Sequence, residues 1–343
     1  MGTFITFDVP GAVNGTFPAS INNGGAITGS YGDNIGSGSH GFIRAANGSF
    51  VTFDVQGAVF GTFPSAVSNN GDTVGSYQDN IGSGFHGFIR TAKGSFVTFD
   101  APGGGFIFGS SFINARGEVA GSYFDVNFVQ HSFLRTANGE LTPIDPPAGV
   151  NGSFPSAITP NGVILGVYFD ASFASIGFRR DSSGNFTEVT GPGGLTGQDD
   201  PYSLSFGAAL SINPGGEIAG TYFEPVAGGN YRVFLLSKDG QYTTFDAANY
   251  PPCCIFSSPT GINPAGTVTG LLNDGFNVYR GFLRTSDGNV SVLDAPGAGT
   301  GNFQGTVTIG ITPGGLVAGA YVGPNDGSFL GPHQSHGFLF QPQ

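Results

Sequence analysis

The sequence predicts an all-β protein: a seven-bladed β-propeller of four-stranded antiparallel blades whose N-terminal strand completes the last blade. Three observations support this prediction. The composition disfavours helices, a unit of roughly fifty residues recurs seven times, and the fourth-strand motif missing from the last unit stands at the N-terminus instead.

The composition is that of a β-rich, folded chain. The 343 residues include 61 glycines and 22 prolines, and only 10% of the residues are charged. Glycine costs about 1 kcal/mol and proline about 3 kcal/mol in a helix interior, so long helices are not expected. The 34 phenylalanines recur regularly, which is not typical of disorder. Without any run of about 18 apolar residues, the sequence predicts no transmembrane helix and no membrane insertion.

A glycine motif marks the repeat. The element G-x-x-x-G begins at Gly25, Gly71, Gly117, Gly162, Gly216, Gly266 and Gly315. The steps between these positions are 46, 46, 45, 54, 50 and 49 residues. Self-similarity at such a period is the signature of a repeat architecture. The copies at residues 15–60 and 61–103 are nearly identical, which indicates a recent duplication.

Each repeat divides into four short strands, A to D in chain order. In the first copy, strand A ends at Asn22, strand B covers 26–31, strand C covers 40–44 and strand D covers 49–54. Asn-Gly and Gly-Gly pairs separate these segments and predict tight turns. Four strands per repeat without a helix predict a propeller blade rather than the shorter coils of a β-helix.

The two ends of the chain are predicted to close the ring. The seventh repeat stops soon after its strand C, 336–340, and lacks a strand D, whereas residues 2–11 match the strand D motif at 94–103. Sharing one blade between the termini removes exposed edges. We therefore expect one domain over 1–343. Its blades are expected at approximately 15–60, 61–108, 109–151, 152–206, 207–256, 257–304, and 305–343 plus 2–14.

The recurring patterns I-N-x-x-G, G-x-[IV]-x-G-x-Y, H-G-F-[IL]-R and F-D-x-P-G resemble the HAF-type extracellular repeats of bacterial proteins along the whole chain. The fourth repeat departs most, with Ile176 at the histidine position. The resemblance implies a secreted or cell-surface propeller and supplies no catalytic residues. No signal peptide precedes Met1, so a removed leader and a cytoplasmic location remain alternatives.

The charge excludes one class of partner. The formal net charge is −12, with only 11 Lys and Arg residues. Nucleic-acid binding needs a basic footprint, so no nucleic-acid partner is expected, and an acidic surface suits neutral or cationic ligands. The sequence contains no phosphate-binding or dinucleotide-binding motif in a suitable context, and we expect no cofactor.

Two series of carboxylates and a set of histidines recur. The first series follows strand B (Asp33, Asp79, Asp125, Asp170, Glu224, Asp274) and the second ends strand D (Asp8, Asp54, Asp100, Asp145, Asp246, Asp294). The histidines begin strand C (His40, His86, His131, His336). All should lie at the end of the blades where the B–C and D–A connections emerge, the top face. Hard cations take such oxygen ligands, but we favour a structural role in which each Asp caps a turn, with no metal bound.

Departures from the repeat are the better candidates for function. The D–A connection into blade 5 is lengthened, that into blade 6 contains a cysteine pair, and the B–C loop of blade 7 expands over 323–335. The candidate ligand-binding residues are Asp199, Asp200, Tyr202, Glu224, Tyr250, Cys253, Cys254 and His333. Insertions in surface loops are also tolerated without any function. The adjacent cysteines could form a strained disulfide or remain two thiols.

Two functions fit these residues. The first is a binding module whose top face takes a glycan or a small molecule, with aromatic stacking from tyrosines. The alternative is a hydrolase or lyase whose acid–base pair comes from Asp199, Asp200, Glu224 and His333.

Overall fold

The computed structural model describes residues 2–33, 38–80, 84–194, 210–224, 230–247, 256–331 and 333–343. These residues form β-strands and turns, with two short 3-10 turns at Pro102–Gly104 and Pro192–Gly194. The all-β class predicted from the composition is confirmed. None of the helices in the described ranges is long and apolar enough to cross a membrane. The chain forms two compact units: the first comprises 1–8, 14–17 and 189–343, and the second comprises 9–13 and 18–188.

The second unit consists of four-stranded antiparallel meanders. Its strands are β2 (Thr16–Ile21, which begins in the first unit), β3 (Ile27–Gly32), β4 (Ser39–Arg44), β5 (Phe50–Phe53), β6 (Gly61–Val67), β7 (Thr73–Gln78), β8 (Phe85–Arg90), β9 (Phe96–Phe99), β10 (Phe106–Ile113), β11 (Val119–Phe124), β12 (Gln130–Arg135), β13 (Leu141–Pro143), β14 (Ser153–Ile158), β15 (Ile164–Phe169), β16 (Ser175–Arg180) and β17 (Phe186–Val189). Strands β10 to β13 and β14 to β17 each form a separate sheet in chain order. The first two meanders share one sheet because Ser39 of β4 pairs in parallel with Gly61 of β6.

The first unit repeats this organisation. Its strands are β18 (Ser211–Ile212), β19 (Ile218–Glu224), β20 (Asn230–Leu236), β21 (Tyr242–Phe245), β22 (Ser257–Ile262), β23 (Val268–Asn273), β24 (Tyr279–Arg284), β25 (Val290–Leu293), β26 (Gly305–Ile311), β27 (Val317–Val322), β28 (His336–Gln341) and β1 (Thr3–Phe7). Strand β1 pairs antiparallel with β28, in a register from Thr3↔Gln341 to Phe7↔Gly337. The predicted pairing of the first strand with the last is therefore confirmed.

The G-x-x-x-G element has a steric cause at each glycine. The first glycine closes the A–B turn with a positive φ, +87° at Gly71, where a side chain would be strained. The second lies in strand B, where a Cβ on Gly75 would overlap the carbonyl oxygen of Phe63 in the neighbouring strand A. The two glycines that identified the repeat in the sequence are therefore required by a tight turn and by the close approach of strands A and B.

The strand C phenylalanines form the core between meanders. All seven are almost fully buried (Phe42, Phe88, Phe133, Phe178, Phe234, Phe282, Phe338). The ring of Phe88 contacts Phe53 of the preceding strand D at 6.2 Å between centroids, and Phe282 contacts Phe245 at 6.0 Å. The guanidinium of Arg90 lies 4.9 Å above the ring of Phe53. These contacts confirm the predicted packing between neighbouring repeats.

Candidate binding face

At the top face, a histidine lies between the two carboxylate series. In the first meander, Nδ1 of His40 is 2.8 Å from Oδ2 of Asp54, and its Nε2 is 3.4 Å from Oδ1 of Asp33. The same arrangement joins His86 to Asp79 and Asp100, His131 to Asp125 and Asp145, and His336 to Asp326 and Asp8. The sequence predicted a shared face for all of these residues except Asp326; the structure also brings them into direct contact.

Arginine replaces histidine in two meanders of the first unit. Nη1 of Arg232 donates to Glu224 at 2.9 Å and its Nε donates to Asp246 at 2.8 Å. Arg280 likewise joins Asp274 and Asp294. A guanidinium is always charged, so the position between the carboxylates suits a cation. The sequence analysis missed this substitution, although Arg232 and Arg280 stand two residues before the buried phenylalanine, as the histidines do.

The surroundings of two histidines raise their pKa values. Burial lowers the pKa of His40, but the hydrogen bond and negative charge of Asp54, together with Asp33, outweigh burial, and the pKa lies above its usual value. His86 has its pKa raised in the same way by Asp100 and Asp79, against the opposing effect of burial. Both imidazoles therefore remain protonated to a higher pH than a free histidine.

Three aspartates of the first series cap their own turns, as predicted. Oδ1 of Asp125 accepts hydrogen bonds from the backbone N–H groups of Asn127 and Val129 at 2.8 and 2.9 Å. The bond from Val129 is the main reason that the pKa of Asp125 is lowered. Asp170 and Asp274 accept equivalent bonds in their turns. Within the described ranges, no group of three or more His, Cys, Asp or Glu residues is arranged to hold a metal ion.

All three of these capped turns present a phenylalanine to solvent; Phe276 in the Asp274 turn is 73% exposed, and in the other two turns the phenylalanine itself has a positive φ. Phe128 has φ +62° and its side chain is 75% exposed; Phe173 has φ +63° and is 64% exposed. A bulky residue with positive φ is uncommon, and such strain concentrates at ligand-binding sites. The hydrogen bonds to Asp125 and Asp170 stabilise the two turns in this conformation.

The rings of Phe128 and Phe173 belong to a set of partly or largely exposed apolar side chains of the second unit, the apolar band: Phe60, Phe85, Phe106, Phe128, Val150 and Phe173. Successive centroids are 6.3 Å apart for Phe85 and Phe106 and 6.0 Å apart for Phe106 and Phe128. The backbone of Phe60 lies near this row, since its N–H donates to the carbonyl of Gln78, the strand partner of Phe85.

The chain next to Val150 approaches the turns that bear Phe128 and Phe173. Asn151, the residue after Val150, donates from its backbone to the carbonyl of Phe169 and from its side chain to the carbonyl of Asp170, where the turn bearing Phe173 begins. On the other side, Gly152 packs so closely against the carbonyl of Gln130 that a Cβ there would approach it to 2.8 Å. Gln130 follows the turn that bears Phe128, so the backbone next to Val150 lies close to both turns.

Two of the sequence-predicted site residues are described, and they have different partners. Glu224 is paired with Arg232. His333 lies in the expanded loop, where its Nδ1 is 2.8 Å from the carbonyl of Gly331 and its ring contacts Phe17 and Phe329 at 5.4 and 5.5 Å. The remaining candidates lie outside the described residues: Asp199, Asp200, Tyr202, Tyr250, Cys253 and Cys254.

No family model matches the chain, and no curated protein matches it in sequence. The resemblance to HAF-type repeats is therefore not supported by that comparison. Solved structures are similar in fold: a streptogramin B lyase has a TM-score of 0.57 and 14% identity, covering 99% of this chain and 97% of that chain. A catalytically inactive virginiamycin B lyase from Staphylococcus aureus, with quinupristin, has a TM-score of 0.56 and 14% identity over the whole of both chains. At this identity the likeness defines the fold alone: the chain is a β-propeller.

Proposed function

We propose that the protein is a ligand-binding module, a seven-bladed propeller over residues 1–343 whose top face recognises a neutral or cationic ligand. The exposed phenylalanines on capped turns support this proposal most directly, because a solvent-exposed ring in a turn with positive φ adds nothing to the buried core. Aromatic faces stack on apolar surfaces of sugars and small molecules, and the neighbouring carboxylates accept hydrogen bonds from hydroxyl groups. The motifs of HAF-type repeats favour a secreted or cell-surface location.

The test is a binding screen with paired variants. Immobilised full-length protein is exposed to a panel of neutral polysaccharides and of peptides, and each hit is repeated with Phe128→Ser/Phe173→Ser. We expect this variant to lose about tenfold or more in affinity, since two stacking contacts of about 1 kcal/mol each are removed. Val97→Ser is the matched control, because Val97 is 46% exposed but lies on strand β9, away from the apolar band. A hit that binds both variants as tightly as the wild type contradicts a role for these turns.

The geometry of His333 favours a second candidate, a hydrolase or lyase. The carbonyl of Gly331 can only accept, so Nδ1 of His333 carries the proton in the neutral ring and Nε2 is available as a base. The assay incubates the protein with quinupristin and follows its conversion by chromatography and mass spectrometry. Conversion that His333→Gln abolishes supports the enzyme, whereas an unchanged substrate leaves binding as the function.

The six candidates outside the described residues remain proposed ligand-binding residues. Replacing both Cys253 and Cys254 by serine tests them together. Unchanged ligand affinity would remove the cysteine-bearing loop from the site.

A further inference from the structure

We infer that the apolar band of the second unit takes a cationic, amphipathic peptide segment. This inference rests on the proposed binding function and names the class of ligand. The band supplies the contact for apolar side chains, with Phe128, Phe173 and Val150 exposed along it. A purely apolar partner would leave the adjacent carboxylates unpaired, because the turns that bear Phe128 and Phe173 begin at Asp125 and Asp170.

The arginines and the lysine of the second unit lie at one end of its strands, whereas seven of its carboxylates lie at the other end. Seven carboxylates follow strand B or end strand D at the top face (Asp33, Asp54, Asp79, Asp100, Asp125, Asp145, Asp170). The unit's arginines and its lysine stand at the opposite end, in or after the last two positions of strand C or in the A–B turn (Arg44, Arg90, Lys93, Arg116, Arg135, Arg179, Arg180). A six-residue strand spans roughly 20 Å, more than twice the Debye length of about 8 Å at physiological salt. The distant cations therefore screen the top face little.

The histidines do not neutralise this face. His40, His86 and His131 are its three imidazoles, and even when all are protonated the seven carboxylates exceed them. Asp100 and Asp54 also keep much of their surface exposed, with side chains 78% and 49% accessible. A lysine- or arginine-bearing segment can pair with these carboxylates while its apolar side chains cover the phenylalanines. A neutral glycan would leave the charge uncompensated, and an anionic polymer would be repelled.

The experiment uses three fluorescein-labelled peptides of equal length: Lys and Leu in an amphipathic pattern, Glu and Leu in the same pattern, and Lys with Ser in place of Leu. Binding to the full-length protein is measured by fluorescence anisotropy at about 0.15 M salt and at higher salt. We expect the Lys/Leu peptide to bind, the other two to bind at least about tenfold more weakly, and the affinity to fall with salt. Phe128→Ser/Phe173→Ser should weaken the Lys/Leu complex, and Val97→Ser should not.

A matched pair of charge variants separates a local site from general attraction to an acidic protein. Asp54→Asn/Asp100→Asn and Asp72→Asn/Asp181→Asn change the net charge equally. Asp72 and Asp181 lie in turns at the opposite end of the strands, where they accept backbone N–H bonds that asparagine can also accept. Only the first variant should weaken the Lys/Leu complex, and circular dichroism checks that both are folded.

Equal weakening by both charge variants overturns the inference, as does equal binding of the Lys/Leu and Glu/Leu peptides. Neutral polysaccharides that bind through Phe128 while the Lys/Leu peptide does not would overturn the inference and leave the proposed function standing. Absence of binding by every peptide and polysaccharide would overturn both.

Discussion

Imidazole and guanidinium groups occupy one position in the repeat. His40 and His86 contact the same two carboxylate positions as Arg232 and Arg280, and Ile176 takes this place where strand D ends in Thr190 instead of Asp. The cation and the second carboxylate are thus lost together in the fourth repeat. A cation at this position compensates paired carboxylates, so the charge state of His40 and His86 contributes to stability.

The first prediction concerns pH. The folded-state pKa values of His40 and His86 are raised, so their stabilising contribution is fully present below the unfolded value of about 6.5 and is lost as pH rises through the folded values. In His40→Arg/His86→Arg the charge persists, and we expect the fall in Tm between about pH 6 and 8.5 to shrink by about 1–3 °C. Arg280→His is the converse control and should add pH dependence. Superimposable Tm profiles of the wild type and the double Arg variant would refute the role of protonation.

The second prediction separates turn capping from metal binding at Asp125. The pKa of Asp125 is lowered, mainly by backbone hydrogen bonds. Its contribution to folding stability is therefore present above the unfolded-state pKa of about 3.9 and is lost as pH falls through the folded-state pKa. Asp125→Ala should lower Tm at neutral pH, whereas Asp125→Asn, which retains an acceptor, should lower it less. EDTA should leave the wild-type Tm unchanged. A fall of more than about 10 °C with EDTA that calcium reverses would instead establish a bound ion.

At the scale of strands and turns, the sequence was sufficient to predict residue positions wherever a pattern repeats. The turn glycines and the buried strand C phenylalanines recur in register, so their places followed from the period. Asp326 was missed because it lies in the expanded loop, at a spacing that no other repeat shares, yet it contacts His336 as Asp33 contacts His40. The apolar band was also missed, since the exposure of Phe128 depends on a positive φ that composition does not reveal.

Strand β1 provides the test at this scale. The ring of Phe4 packs against Phe340 at 4.7 Å and Phe338 at 5.6 Å between centroids, whereas Ile5 on the same strand is 53% exposed. A large apolar side chain contributes about 1.5–3 kcal/mol when fully buried, and Phe4 is half-buried. Phe4→Ala should therefore destabilise the protein by about 1–2 kcal/mol in chemical denaturation, and Ile5→Ser should be nearly silent.

Deleting residues 2–10 is the more severe change, because it also leaves β28 as an unpaired edge. We expect this variant to aggregate or to unfold at a clearly lower denaturant concentration. A monomeric deletion variant with the wild-type midpoint would mean that the β1–β28 pairing contributes nothing to stability.

For the whole molecule, the proposal of one ring makes a prediction that the two compact units alone do not. If residues 1–343 form a single closed domain, each meander packs against a neighbour on either side. The unfolding of one meander then exposes its neighbours, and unfolding should be cooperative. Calorimetry should then give one transition with a calorimetric enthalpy equal to the van't Hoff enthalpy.

Phe88→Ala and Phe282→Ala probe the units separately, since each removes a fully buried ring from a different unit and should cost about 3–5 kcal/mol. In a single domain both variants shift the one transition. If Phe88→Ala moves only one of two transitions and Phe282→Ala moves the other, the units fold independently and the proposal of a single domain is wrong.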